Sequence, residues 1–133
     1  CCNVDESDQL EGIVTMIIKN INMMGSLKKD VIVIDCSEKN LKSIFEYLKP
    51  KYLVITNIYR DQIPENGHSE LIYQNINKVL TQDIHLILNA DDPLSSLLGY
   101  KRENVTYFGI NQNSICSKEN ISMFNDGKYC PNC

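Results

Sequence analysis

Hydrophobic positions in this chain alternate between two periodicities. Ile13, Met16, Ile17, Ile21 and Met24 recur at helical spacing, with Lys19, Asn20 and Asn22 opposite, which predicts a helix within 13–24. Val31-Ile32-Val33-Ile34 is a continuous β-branched run, the pattern of a strand buried on both faces. Leu41, Ile44, Phe45 and Leu48 predict a second helix, which Pro50 ends. Tyr52-Leu53-Val54-Ile55-Thr56 reads as a second buried strand, and Ile72, Ile76, Val79 and Leu80 as another helical stripe. Ile84-His85-Leu86-Ile87-Leu88 makes a third strand and Val105-Thr106-Tyr107-Phe108 a fourth, shorter one. Strands separated by helices imply βαβ units. The expected fold is a three-layer α/β domain with a mostly parallel sheet and core strands at 31–35, 52–56 and 84–88. Beyond Gly109 the periodicity fails, so residues 1–110 form the α/β domain and 111–133 an appended, irregular segment.

The composition adds exclusions. At 133 residues, 43% hydrophobic and 23% charged, the chain has material for one domain with its own core. Thirteen Lys and Arg against seventeen Asp and Glu leave a net charge of −4, which argues against a broad nucleic-acid surface. No apolar run approaches the ~18 residues a membrane-spanning helix needs. The start, Cys1-Cys2-Asn3-Val4-Asp5-Glu6, has neither the basic nor the apolar part of a secretory signal. It also lacks an initiator Met, so a piece of a longer chain is expected. The six cysteines lie at 1, 2, 36, 116, 130 and 133, too unevenly for a disulfide framework replacing a core. A reduced, cytoplasmic setting fits better. Cys130-Pro131-Asn132-Cys133 then has the spacing of half a metal site, with Cys116 as a candidate third ligand.

Polar residues gather where the strands end. The first strand runs into Asp35-Cys36-Ser37-Glu38, the second into Thr56-Asn57-Ile58-Tyr59-Arg60-Asp61-Gln62, and the third into Asn89-Ala90-Asp91-Asp92-Pro93. In an open parallel sheet, ligands bind outside the carboxyl ends of the strands. Each cluster alone also reads as a helix cap, and Asp-Asp-Pro is a common helix start. Three on one rim would turn their carboxylates toward one cleft. Such a cleft suits metal–nucleotide chemistry, because Mg²⁺ is held by one or two carboxylates plus substrate phosphates. Asp35 and Glu38 are the candidates. No G-x-x-x-x-G-K-[ST] loop is present, so a phosphate cradle would have to lie outside these residues. His85, alternating with Ile84 and Leu86, reads as structural. His68 reads as solvated and Cys36 as a buried thiol.

Thr56-Asn57-Ile58-Tyr59-Arg60-Asp61-Gln62 with Gly67, Leu88-Asn89-Ala90-Asp91-Asp92-Pro93, Tyr107-Phe108-Gly109-Ile110 and the closing Cys-Pro-Asn-Cys follow one another in an order that resembles the central domain of the Mur ligase family. The Arg-Asp-Gln form and the cysteine pair resemble its MurT-type branch, and the likeness runs from Asn3 and Gly12-Ile13-Val14-Thr15 to Cys133. The resemblance implies an ATP-dependent ligase that activates the α-carboxyl of D-glutamate in the lipid II peptidoglycan stem. Ammonia would come from a GatD-like glutamine amidotransferase subunit. It places Asp35 at the family's Mg²⁺-binding glutamate, with Glu38 the acidic residue three positions on, as the catalytic pair. It places Asn89 and Asp92 on the motif that contacts the adenine nucleoside, and Thr56 and Asn57 on the rim of the site. Arg60 and Asp61 fall in the following loop. Cys130 and Cys133 fall on the first pair of a four-cysteine, structural Zn²⁺ ribbon.

The sequence departs from that pattern in places. Asp35 stands where glutamate is usual, Glu6-Ser7-Asp8 where Gly-Ala-Asn is usual, and Pro64-Glu65-Asn66-Gly67-His68 where Asp-Arg-Tyr-Gly-Glu is usual. The phosphate loop, the second cysteine pair and the domain that meets GatD are all missing from these residues, so the piece alone is expected to be inactive. Two other readings stay open. One is another Mur-like ligase of the amino-acid-adding or folylpolyglutamate type, and the other a non-catalytic α/β binding module.

Overall fold

The computed structural model describes residues 1–3, 7–58, 68–112 and 114. They fall in two compact units, Cys1–Lys49 and Pro50–Cys133.

In the first unit, α1 (Leu10–Lys19) buries Gly12, Ile13 and Met16 on one stripe. The helical spacing was expected to run on to Met24, but α1 stops at Lys19. Asn20 caps it, its N–H reaching the Ile17 carbonyl, and its side chain donates to the Met16 carbonyl at 2.9 Å. The chain then turns back as a short hairpin with an antiparallel bridge between Ile21 and Leu27. The Asn22 carboxamide oxygen accepts from the N–H groups of Met24 and Ser26, both at 2.9 Å. Gly25 sits at φ 78°, a left-handed conformation that costs glycine little. Asparagine side chains competing for backbone groups, together with that glycine, outweigh the apolar spacing. α2 (Leu41–Tyr47) buries Leu41 and Ile44 as its stripe requires.

The run 31–35 also departs from expectation. It is extended, yet its pairing is a single parallel bridge between Cys2 and Val33. Val33 N–H donates to the Cys1 carbonyl, and the Cys1 amino group to the Val31 carbonyl, each at 2.8 Å. Val31 and Val33 are 64% and 57% exposed. A strand needs ladders and cover on both faces to be a core strand. Among the described residues, this segment pairs only with the three at the chain's start.

The second unit holds a sheet of three parallel strands, β1 (Tyr52–Ile55), β2 (His85–Asn89) and β3 (Val105–Phe108), in the order β1-β2-β3. α3 (Ser69–Val79) links the first pair and α4 (Pro93–Leu98) the second. The register aligns Leu53 with Leu86 and Ile55 with Leu88, so these four share a face. α4 packs on β2, and α3 packs on α4. Leu86, Leu88, Ile55, Ile72, Ile76 and Leu98 are buried there. The opposite face carries Tyr52, Val54, Thr106 and Phe108, all exposed. The parallel α/β class is therefore present. Among the described residues of this unit, Tyr52 and Val54 on the other face of β1 are exposed. No helix among the described residues is long and apolar enough to cross a membrane. Of the expected segment 111–133, all but Asn111, Gln112 and Ser114 lies outside the described residues.

Candidate functional site

In the second unit, the carboxyl ends of β1 and β2 carry the polar runs that the sequence singles out. Asn89 ends β2 and clips the two strand ends together. Its amide nitrogen donates to the Thr56 carbonyl at 2.8 Å and to the Asn57 carboxamide oxygen at 3.3 Å. Its own oxygen accepts from the Asp91 N–H at 2.8 Å. Both donors and the acceptor of Asn89 are thereby engaged.

Asp92 is the N-cap of α4, which begins with Pro93. One carboxylate oxygen accepts from Leu94 N–H at 3.4 Å, the other from Ser95 N–H at 3.2 Å. The second oxygen also accepts from Ile58 N–H at 2.6 Å, tying the chain beyond β1 to the start of α4. The capping reading of Asp92 thus holds. Asp91 turns the other way and accepts from Ile110 N–H at 2.8 Å, holding the exit of β3.

Thr56, Asn57, Asn89 and Asp92 are brought together at one edge of the sheet. Asn89 and Asp92 are occupied with shaping that edge, while Thr56, Asn57 and Asp91 remain exposed on it. A rim fixed by internal hydrogen bonds can present hydroxyl, amide and carboxylate groups to a ligand without first ordering them. Replacing Asp92 by alanine removes the cap and leaves Ile58 N–H without its acceptor. We expect a loss of about 2–4 kcal/mol in urea unfolding of the full-length protein. Asp92→Asn, which keeps one acceptor oxygen, should lose less. Unfolding of the alanine variant at the parent midpoint would show that the cap contributes nothing.

Two residues at these sites escape sequence reasoning. Ser95 is fully buried, its hydroxyl accepting from Asn89 N–H at 3.2 Å and reaching the Ile55 carbonyl at 3.4 Å. Its place three residues after the Asp92 cap is the only signal in the chain. The second is Asn3, 2% exposed, in the first unit. Its oxygen accepts from Asp35 N–H at 2.7 Å, and its amide donates to the Asp35 carbonyl at 2.8 Å and the Ser7 carbonyl at 3.5 Å.

Asn3 therefore fixes the backbone of Asp35 while the Asp35 side chain stays exposed. Glu38 is half-buried nearby. The thiol of Cys36, between them in sequence, is pushed up to about 11 by burial first, then by the negative charges of Asp35, Asp8 and Glu38. A thiol held neutral in acidic surroundings is a poor nucleophile, which fits an inert Cys36, half-buried rather than fully buried as expected. Iodoacetamide at pH 8 should modify exposed Cys2 well before Cys36, as peptide mass mapping would show. Equal rates would remove the protection. The unfolded thiol ionises near 9.0 and the folded one near 11, so the folded state binds more protons between these values. This thiol's contribution to stability should therefore fall as pH rises through that window, a slope missing in Cys36→Ser.

Asp35 and Glu38 belong to the first unit, and Thr56, Asn57, Asn89 and Asp92 to the second. Among the described residues, no group of three or more His, Cys, Asp or Glu side chains could hold a metal ion. His85 pairs through Nε2 with the Thr106 hydroxyl at 2.8 Å and stacks obliquely on Tyr52, a structural role. His68 is exposed and precedes α3 without a side-chain cap. Arg60, Asp61, Cys116, Cys130 and Cys133 lie outside the described residues.

No protein-family model matches the chain. It is 30% identical over 112 residues to the subunit MurT of lipid II isoglutaminyl synthase (glutamine-hydrolyzing) of Staphylococcus aureus strain COL, covering 84% of this chain and 25% of that protein. The subunit of the same name from Streptococcus pneumoniae strain ATCC BAA-255 / R6 is 32% identical over 113 residues, 79% of this chain and 24% of that protein. The chain spans about a quarter of the length of the curated relatives it matches. It is a homologue of MurT, aligned over most of its own length with one segment of that subunit.

Proposed function

We propose that the protein containing this chain is the ligase subunit of an ATP-dependent, amide-forming enzyme acting on the D-glutamate of the lipid II stem. Ammonia would come from a GatD-like glutamine amidotransferase partner. The observation that carries this reading is the match to glutamine-hydrolyzing lipid II isoglutaminyl synthase subunits over about four-fifths of the chain. The Asn89–Asp92 edge supports it, since Thr56 and Asn57 stand there on a preorganised rim.

ATP would supply the phosphoryl group that converts a poor leaving group, the carboxylate oxygen, into a good one. In this reading Thr56 and Asn57 offer hydrogen bonds to the nucleotide, and Asn89 and Asp92 hold that rim in shape. Asp35 and Glu38 have the hard oxygen donors that Mg²⁺ takes, and the charges around Cys36 would be relieved by a cation. Mg²⁺ held there would supply the charge neutralisation that phosphoryl transfer needs. Asn3 keeps Asp35 in place for that role. Cys130 and Cys133 would supply half of a structural Zn²⁺ site. A cytoplasmic location follows from the need for ATP and reduced thiolates.

The test is a reaction of the full-length protein and its amidotransferase partner with lipid II, ATP and glutamine, followed by mass spectrometry of the stem. Conversion of the glutamate carboxylate to its amide, dependent on ATP, is expected. Addition of a whole amino acid, or no ATP-dependent product with either glutamine or ammonium, would overturn the reading.

A further inference from the structure

We propose that the hairpin at 20–28 is a membrane-docking tip that seats the protein on an anionic lipid surface. The inference deepens the proposed function and rests on it, because a lipid-linked substrate is met at a bilayer.

The hairpin is built to project. Asn22 N–H donates to the Ser26 carbonyl at 2.9 Å, Gly25 N–H to the Asn22 carbonyl at 3.0 Å, and Lys28 N–H to the Asn20 carbonyl at 2.8 Å. The Asn22 side chain secures the turn from inside. At its tip stand Met23, fully exposed, and Met24, 88% exposed, with exposed Leu27 on the returning arm. Two large apolar side chains held outward on an ordered turn are not accounted for by the core of their own unit. Methionine is unbranched and adaptable, which suits insertion among acyl chains better than packing into a shaped pocket.

The charge beside the tip selects the occupant. Lys28 and Lys29 follow directly on the returning arm, against the single carboxylate of Asp30, in a chain whose net charge is −4. Ser26 pairs with Asn22 at the turn and Lys28 with Asn20, so two residues of the returning arm, roughly 7 Å, separate Lys28 from the turn. A tip entering the acyl boundary by several ångströms therefore leaves the lysines at the level of the head groups, where ammonium groups meet lipid phosphates. A protein partner would need an acidic patch of its own beside an apolar pocket, whereas an anionic bilayer offers phosphates next to acyl chains everywhere on its surface.

The full-length protein should co-sediment with vesicles of phosphatidylcholine mixed with phosphatidylglycerol, more weakly with phosphatidylcholine alone, and less as salt is raised. Met23→Ser with Met24→Ser should lower vesicle affinity about tenfold. Lys28→Gln and Lys29→Gln should cost about fivefold each on the anionic vesicles only. Circular dichroism should be unchanged in all of them, as these side chains are exposed among the described residues. The methionine variant should amidate detergent-dispersed lipid II at the parental rate and vesicle-embedded lipid II more slowly. Absence of vesicle binding by the parent, or parental binding by the methionine double variant and both lysine variants, would overturn the proposal. So would self-association that depends on Met23 and Met24 without vesicle binding. Failure of the parent to amidate even detergent-dispersed substrate would instead refute the proposed function, since vesicle binding is read separately.

Discussion

Asp35→Asn in the full-length protein should lower ATP-dependent amidation at least about a hundredfold while the protein remains folded, on the proposed Mg²⁺ role. The substitution is nearly isosteric and removes one negative charge from an exposed side chain. The two hydrogen bonds that tie Asp35 to Asn3 use its backbone and survive the change. Stability should therefore barely move, and a loss of turnover would report on the carboxylate itself. A fall in kcat and kcat/KM together would mark an interaction made in the transition state. The glutaminase step of the partner should be affected less. Near-parental amidation by Asp35→Asn would show that the residue only shapes the turn, and Glu38 would become the candidate ligand. On the proposed Mg²⁺ role, Asp35 would hold the ion with a side chain a methylene shorter than the glutamate that the resemblance to the Mur ligases leads one to expect. Restoring the longer side chain as Asp35→Glu should retain activity where Asp35→Asn does not.

Gly12→Ala should destabilise the first unit by about 3 kcal/mol or more, read in urea unfolding of the full-length protein. Gly12 is buried in the first turn of α1, where the backbone of Ser7 crosses it. A Cβ there would lie 2.6 Å from the Ser7 nitrogen and 2.7 Å from its carbonyl carbon, and would collide with the carbonyl oxygen. These are backbone atoms and cannot rotate away. The same Ser7 carbonyl receives the Asn3 amide, so displacement of Ser7 would loosen the contact that fixes Asp35. Alanine otherwise favours a helix by about 1 kcal/mol over glycine. An alanine variant as stable as the parent would mean that Ser7 can move aside freely.

The chain's own pattern determined most of the second unit. Its β-branched runs at 52–56, 84–88 and 105–108 become parallel strands with ends shifted by a residue at most, and Ile72, Ile76 and Val79 become a helix between them. These signals are local: periodicity sets which side is apolar, and short polar loops carrying Asp, Asn and Pro set the ends. The same holds for the edge. Asp-Asp-Pro announces a capped helix, and Asp92 caps it.

Tertiary structure decided what the pattern left open. Val31–Ile34 has the composition of a core strand, but composition does not supply a neighbouring strand, and among the described residues only Cys1–Asn3 pairs with it. Met24 fits the helical stripe of α1, yet the Asn20 and Asn22 side chains and the left-handed Gly25 take the backbone into a turn first. Nothing in the spacing of Asn3 and Asp35, thirty-two residues apart, reveals that one side chain fixes the other's backbone. Nor does Asp92 alone show that it also receives Ile58, thirty-four residues earlier. Periodicity and caps are properties of neighbours along the chain, so one sequence displays them. Partners across the fold depend on which segments come to lie side by side, and that is settled only when the whole chain packs.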